Sequence, residues 1–200
     1  MTMINYNINN NNKLKEYVNL LLQWQKKINL ISNSSIPVLW QRHIADSLQL
    51  KEFINTNNNT ILDLGSGAGF PGLVLAICDD SNNNYILIDS NSKKSAFLNT
   101  VKVQLDLKNV TILNDRIESL YHKTQADFLL ARGLSNIDKL LEHSNYLLTS
   151  NGTAIFLKGQ TLDQEIDNIK NKNLLTLFSF KVFHNKIDSN GKIIIINRKN

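Results

Sequence analysis

The chain of 200 residues is poor in the residues that crosslink, stiffen or loosen a backbone: it has one cysteine, two prolines and eight glycines. A single cysteine, Cys78, excludes a disulfide within the chain, and its place in an apolar segment reads as a small buried hydrophobe rather than a catalytic thiol. No apolar run approaches membrane-spanning length, and the amino terminus, MTMINYNINNNN, has neither a basic nor an apolar signal region. A soluble, cytoplasmic protein is expected. The length suits one well-buried α/β domain with a small appendage and is too short for two ordinary domains.

Charge is modest, a net +5, but unevenly spread: residues 1–60 carry six bases and three acids, residues 61–100 two and four, and residues 101–200 fourteen and ten. An acidic middle between basic flanks fits a phosphate-bearing partner. The asparagine runs at 9–12, 57–59 and 82–84 are read as loop composition without function.

Four of the eight glycines fall within residues 65–72, and the chain is organised around this stretch. Ile61, Leu62, Asp63 and Leu64 form an apolar run with an acid near its end, then come Gly65, Gly67, Gly69 and Gly72, then the helix-ready Leu73 to Ile77. Strand, glycine turn, helix is the arrangement that holds a nucleotide-like ligand at a helix N-terminus, where a Cβ would collide. Two registers are open. Gly67, Gly69 and Gly72, with Asp89 about twenty residues on, match the dinucleotide fingerprint of nicotinamide-dependent oxidoreductases. Asp63 followed by Gly65, Gly67 and Gly69 resembles instead the D-x-G-x-G-x-G pattern of S-adenosylmethionine-dependent methyltransferases. The second register is favoured, because the first puts Pro71, which lacks an N–H, where a pyrophosphate-binding donor is wanted.

Ahead of this stretch, residues 13–29 place Leu14, Tyr17, Val18, Leu21, Trp24 and Ile28 at helical spacing. Residues 38–54 read as a second helix opened by Ser35, Ile36 and Pro37, with Leu39, Trp40, Ile44 and Leu48 inward. The expected organisation is a helical cap over residues 1–58, joined through the asparagines of 55–59, and a cofactor-binding domain over residues 59–200. Strands are expected at 85–89, 110–113, 128–131 and 153–157, with helices at 93–105 and 136–148 and a short one at 117–121. That alternation is a parallel, doubly wound sheet. Two further strand-like runs, 174–183 and 192–197, are joined by a short loop and so are antiparallel.

Ligands of such sheets lie across the carboxyl ends of the strands, which here end in Asp63, Asp89, Asn114 with Asp115, Arg132 and Lys158. Asp89 is read as the acceptor of both ribose hydroxyls, or else as a turn residue capping the next helix. Arg132 suits a carboxylate or an RNA phosphate. Arg132 and Lys158 are the candidates nearest a substrate base, the alternative for both being anchorage of strand ends. Arg42 and Asp46 stand as an i,i+4 helix pair or as site residues, and His43 packs or takes part. No histidine or cysteine stands at a strand end, and no metal site is expected.

The motifs NLIS (29–32), RHIADSL (42–48), DLGSGAGFPG (63–72), IDS with KK and FL (88–98), NDRIE (114–118), ARGLS (131–135) and FLKGQ (156–160) together resemble the bacterial small-subunit ribosomal RNA methyltransferase G family. The resemblance implies a Rossmann-like class I methyltransferase: a mostly parallel seven-stranded sheet with an antiparallel C-terminal strand, plus the helical cap. It implies S-adenosyl-L-methionine as cofactor, 16S rRNA or the small ribosomal subunit as partner, and methylation of guanine N7 in the 530 loop. By motif match, cofactor contacts fall on Gly65, Phe70, Ile117, Glu118 and Arg132, beside Asp63, Gly67 and Asp89 read from the strand ends. A monomer is expected. Residues 160–191 match no motif, and a catalytically silent RNA-binding module on the same fold is the remaining alternative.

Overall fold

The computed structural model describes residues 11–54, 56–169 and 172–199; Asn9 and Asn10 of the first asparagine run, and Asn55 of the expected junction, lie outside them. Seven strands form one sheet in the order β3-β2-β1-β4-β5-β7-β6. They are β1 (Thr60–Leu64), β2 (Asn84–Ile88), β3 (Val110–Leu113), β4 (Ala126–Arg132), β5 (Leu148–Lys158), β6 (Phe178–His184) and β7 (Lys192–Arg198). The first five pair in parallel, and β7 runs antiparallel to both β5 and β6. Strand order therefore reverses between β1 and β4, so the ligand crevice belongs where those two strands end.

Side chains alternate across each strand and so face two cores. Ile61, Phe128 and Leu130 join one cluster, while Leu62, Leu129 and Ala131 join the other. The first is closed by α1 (Asn12–Gln25), the helical residues of 33–53, α3 (Gly72–Ile77) and α4 (Ser92–Gln104), the second by α5 (Ile137–Leu147), α6 (Leu162–Asp167) and α7 (Lys172–Leu177). The N-terminal helices thus share their core with the glycine-loop face of the sheet. Trp24 and Tyr17 pack on Phe97 of α4, with ring centroids 5.7 and 6.3 Å apart. Asparagine has one clear local use: the side chains of Asn11, Asn91 and Asn136 accept backbone N–H groups in the first turns of α1, α4 and α5.

Two expectations are corrected. Residues 38–54 are not one α-helix but a succession: a 3₁₀ segment (Asn33–Val38), a π segment (Trp40–Ala45), a single α turn, α2 (Asp46–Leu48), and another 3₁₀ segment (Gln49–Phe53). Side chains compete for its carbonyls, with Ser47 Oγ donating to His43 O and Gln49 Nε2 to Asp46 O. Leu39, Ile44 and Leu48 are nevertheless buried as the spacing predicts. The run 174–183 begins as helix: α7 continues to Leu177, and β6 starts at Phe178, opposite Arg198 at the end of β7. Among the described residues no helix is long and apolar enough to cross a membrane.

Candidate cofactor site

The glycines after β1 divide into two uses. At Gly72 an added Cβ would lie 2.6 Å from Asp63 Cβ, so this glycine lets α3 pack onto β1, and at Gly69 it would lie 2.7 Å from Leu73 Cβ, so that one lets the loop close on α3. At Gly67, with φ +58°, the nearest atom to such a Cβ is Gly65 O at 3.8 Å, so open space lies over the backbone. That is the position at which a ligand can approach the main chain. Gly72 N–H, which the dinucleotide register would aim at pyrophosphate, donates instead to Asp63 Oδ2 at 3.2 Å.

Asp63 is fully buried beneath this turn, and its Oδ1 meets no donor. Burial pushes its pKa up to about 7; the neighbouring Asp89 carboxylate adds to the rise, while the Gly72 amide and Arg132 oppose it. Asp89 Oδ2 accepts from Gly67 N–H and Oδ1 from Asn91 N–H, both at 2.8 Å. Asp89 thus ties the glycine loop to the turn before α4, whose cap is Asn91 rather than Asp89, and each of its oxygens keeps a lone pair.

Beside Gly65 and Asp89 opens a cleft of about 420 Å³, bounded by Ser90 and Lys94 after β2, by Asp115, Arg116, Ile117 and Glu118 after β3, and by Gly133 and Leu134 after β4. It lies at the carboxyl ends of β1 to β4, as the topology requires. Glu118 is exposed and pairs with Lys139 at 3.4 Å; its own backbone amide holds its carboxyl below the usual carboxylate range. Lys94, Arg116, Gly133 and Leu134 were not singled out from the sequence. A glycine directly after a strand tip was the available signal for Gly133, which has φ +62°.

Phe70 and Arg132 stand elsewhere, against the helical segment before β1. Phe70 is buried, its ring stacked on His43 with centroids 4.7 Å apart and meeting Tyr17 edge-on at 5.9 Å. The Arg132 guanidinium lies 4.7 Å from the centre of the Phe70 ring. It donates from Nη1 to Arg42 O at 3.2 Å and Asp46 Oδ2 at 3.3 Å, and from Nη2 to His43 Nδ1 at 2.8 Å. The i,i+4 pairing of Arg42 with Asp46 is thus replaced by Asp46 with Arg132. Burial and the cations Arg132 and Arg42 lower the His43 pKa to about 3, so its ring is neutral and Nε2 carries the proton, buried and without a partner. The Tyr17 hydroxyl donates to Ala68 O at 2.6 Å, joining α1 to the glycine loop across 51 residues of sequence, a contact no local pattern announces.

Lys158 is 9% exposed; it pairs with Glu165 at 2.7 Å and donates to Ser135 O at 2.8 Å. These contacts fasten β5 to α6 and to the loop before α5. Asn114 Nδ2 donates to Asp89 O, so the loop after β3 is pinned to the tip of β2.

Strand order, the single reversed strand, the glycine turn after β1 and the acid after β2 define a class I S-adenosylmethionine-dependent methyltransferase fold. Solved structures share it. A SAM-dependent methyltransferase from Aquifex aeolicus superposes with a TM-score of 0.62 at 18% identity, covering 80% of this chain and 92% of that one. Ribosomal protein L11 methylase from Lactobacillus delbrueckii subsp. bulgaricus gives 0.63 at 13% identity, covering 78% and 77%. The particular family follows from sequence: the profile described as rRNA small subunit methyltransferase G matches residues 10–194, and the chain belongs to that family. Among its relatives, ribosomal RNA small subunit methyltransferase G of Orientia tsutsugamushi (strain Ikeda) is 39% identical over 195 residues, 96% of this chain and 94% of its own. The protein of that name from Gluconobacter oxydans (strain 621H) is 44% identical over 154 residues, 77% of each. As a member of this family the chain is an S-adenosylmethionine-dependent rRNA methyltransferase, and the oxidoreductase alternative falls away.

Proposed function

We propose that this chain methylates N7 of a guanine in the 530 loop of 16S rRNA. The site fits the cofactor: backbone is open at Gly67, and Asp89 has acceptor capacity to spare. In this reading Asp89 holds the ribose hydroxyls, Ile117 and Glu118 the adenine edge, and Gly65 and Gly67 the chain between them. Phe70 supports Arg132, whose remaining N–H donors take a carboxylate. When bound, S-adenosylmethionine supplies a methyl carbon made electrophilic by its sulfonium, so the protein mainly aligns donor and acceptor.

The observation that carries the choice of N7 concerns proton acceptors. Of the carboxylates that line the cleft, Asp89 is bound by the Gly67 and Asn91 amides and, in this reading, by the ribose hydroxyls. Hydrogen bonding, from Ser119 first, holds the exposed Asp115 carboxyl below its usual value, and that of Glu118 is held low as well. Asp63, raised to about 7, is sealed under the loop, and the His43 Nδ1 lone pair is occupied by Arg132. A nucleophile that carries no proton needs none of them, and guanine N7 is such a nucleophile.

The test replaces the target guanine by 7-deazaguanine in 16S rRNA that lacks the natural modification. Labelled methyl should pass to the guanine substrate and not to its 7-deaza counterpart, with RNA binding retained. Sustained transfer to the substituted nucleotide would sink the N7 assignment. Absence of transfer to either RNA, with binding intact, would point to the silent RNA-binding module.

A further inference from the structure

The segment 160–191, which the sequence left without a functional reading, carries a side chain that reaches Asp46. Asn185, at the end of β6, is buried against the helical residues 46–49. Its Nδ2 donates to Asp46 Oδ1 at 2.6 Å, and its Oδ1 accepts from Gln49 Nε2 at 3.0 Å and from the amides of Ile187 and Asp188 at 2.8 Å. Its own amide donates to Gly191 O, which closes the β6–β7 connection around it. Asp46 thus receives Asn185 and Gln49 on one oxygen and Arg132 on the other.

We infer that Asn185 is a positioning residue for cofactor binding: by fixing the Asp46 carboxylate it fixes the Arg132 guanidinium against Phe70. This rests on the reading of Arg132 as a cofactor contact. Three of the five guanidinium N–H groups are spent on Arg42 O, Asp46 and His43, so the fork is held from one side while N–H groups on Nη2 and Nε stay available. Without Asn185 the Asp46 Oδ1 oxygen keeps Gln49 alone, so the carboxylate is freer to turn about its Cβ–Cγ bond, and the guanidinium turns with it. Burial favours the neutral acid at Asp46, the Asn185 bond and Arg132 oppose it, and Asp188 reinforces the neutral form. Asn185 therefore maintains both the orientation and the charge that Arg132 pairs with.

Calorimetric titration of the full chain with S-adenosylmethionine tests this. Asn185→Ser removes the Nδ2 donor to Asp46 without adding a charge and keeps an oxygen that the two loop amides can reach, so it is the variant that retains the fold; Asn185→Ala removes both. Each should weaken binding about tenfold, Arg132→Ala at least as much, and Asn185→Ala combined with Arg132→Ala no more than Arg132→Ala alone. Saturating cofactor should restore the methylation rate of Asn185→Ser. Wild-type affinity in both Asn185 variants, beside a weakened Arg132→Ala, would overturn the inference while leaving the role of Arg132 in place. Multiplying losses in the double variant would also overturn it. Wild-type affinity in Arg132→Ala would remove the Arg132 reading itself, and the inference with it.

Discussion

Asp63 makes the glycine loop sensitive to pH in a direction opposite to that of a salt-bridged carboxylate. In the folded chain it keeps its proton until about pH 7, whereas an unfolded aspartate releases it near 3.8. Its contribution to stability is complete below the unfolded value, declines as pH rises, and is fully lost above pH 7. A separation of about three pKa units is worth about 4 kcal/mol at about 1.36 kcal/mol per unit. Asp63→Asn has no proton to lose at this position, so its stability should lack this slope. The asparagine puts an amide nitrogen where Oδ1 meets no donor, at a cost of about 1–3 kcal/mol that does not vary with pH. Urea unfolding of both proteins without cofactor at intervals from pH 4.5 to 8.5 gives a difference curve. The wild type should start the more stable and lose about 3–4 kcal/mol relative to the variant across that range. A difference curve flat to within about 1 kcal/mol would refute the argument, because it would mean that burial does not hold a proton on Asp63.

At Gly67, Asn or Asp would tolerate the positive φ better than alanine, so Gly67→Ala should cost about 1–2 kcal/mol of stability in thermal unfolding. It should also weaken cofactor affinity more than tenfold, since its Cβ enters the open space; unchanged affinity would remove Gly67 from the cradle. Replacing Asp89 would loosen the loop as well as the ligand, because it also holds Gly67 and Asn91. The ligand is therefore the better variable: 2′-deoxy and 3′-deoxy cofactor analogues should each lose about 1.5–3 kcal/mol of binding, and equal affinity would show that Asp89 does not hold the ribose.

Much of this site was legible in the sequence because a strand tip is a local fact. Asp63, Asp89 and Arg132 could be placed at the ends of their strands from an apolar run and the residue that stops it, and the structure brings the first two together around the glycine loop. What Arg132 touches was not legible. Helical spacing pairs Arg42 with Asp46, but residues 40–45 wind as a π segment, and the wider turn removes the alignment that an α-helix would give. Asn185 was missed, and the bond from Tyr17 to the glycine loop was not foreseen although Tyr17 itself was placed on the apolar face, because their partners lie 139 and 51 residues away and no local pattern reports such distance. The helical start of the run 174–183 was hidden because β propensity cannot reveal where the partner strand ends.

The buried bond from Tyr17 to Ala68, with the packing of Trp24 on Phe97, has a consequence for how the chain is made. Synthesis delivers α1 first, yet the surfaces that cover its apolar stripe are the glycine loop and α4, which ends at Gln104. About 80 residues separate the two helix ends, so at about 5–20 residues per second the stripe waits roughly 4–16 s on the ribosome without its native cover. The chain would thus spend its own birth exposing the surface that later seats its glycine loop. Nascent chains stalled before residue 104 should bind a hydrophobic dye or a holding chaperone, and chains stalled far enough beyond it for α4 to clear the exit tunnel should not; equal binding by both would show that α1 is covered some other way.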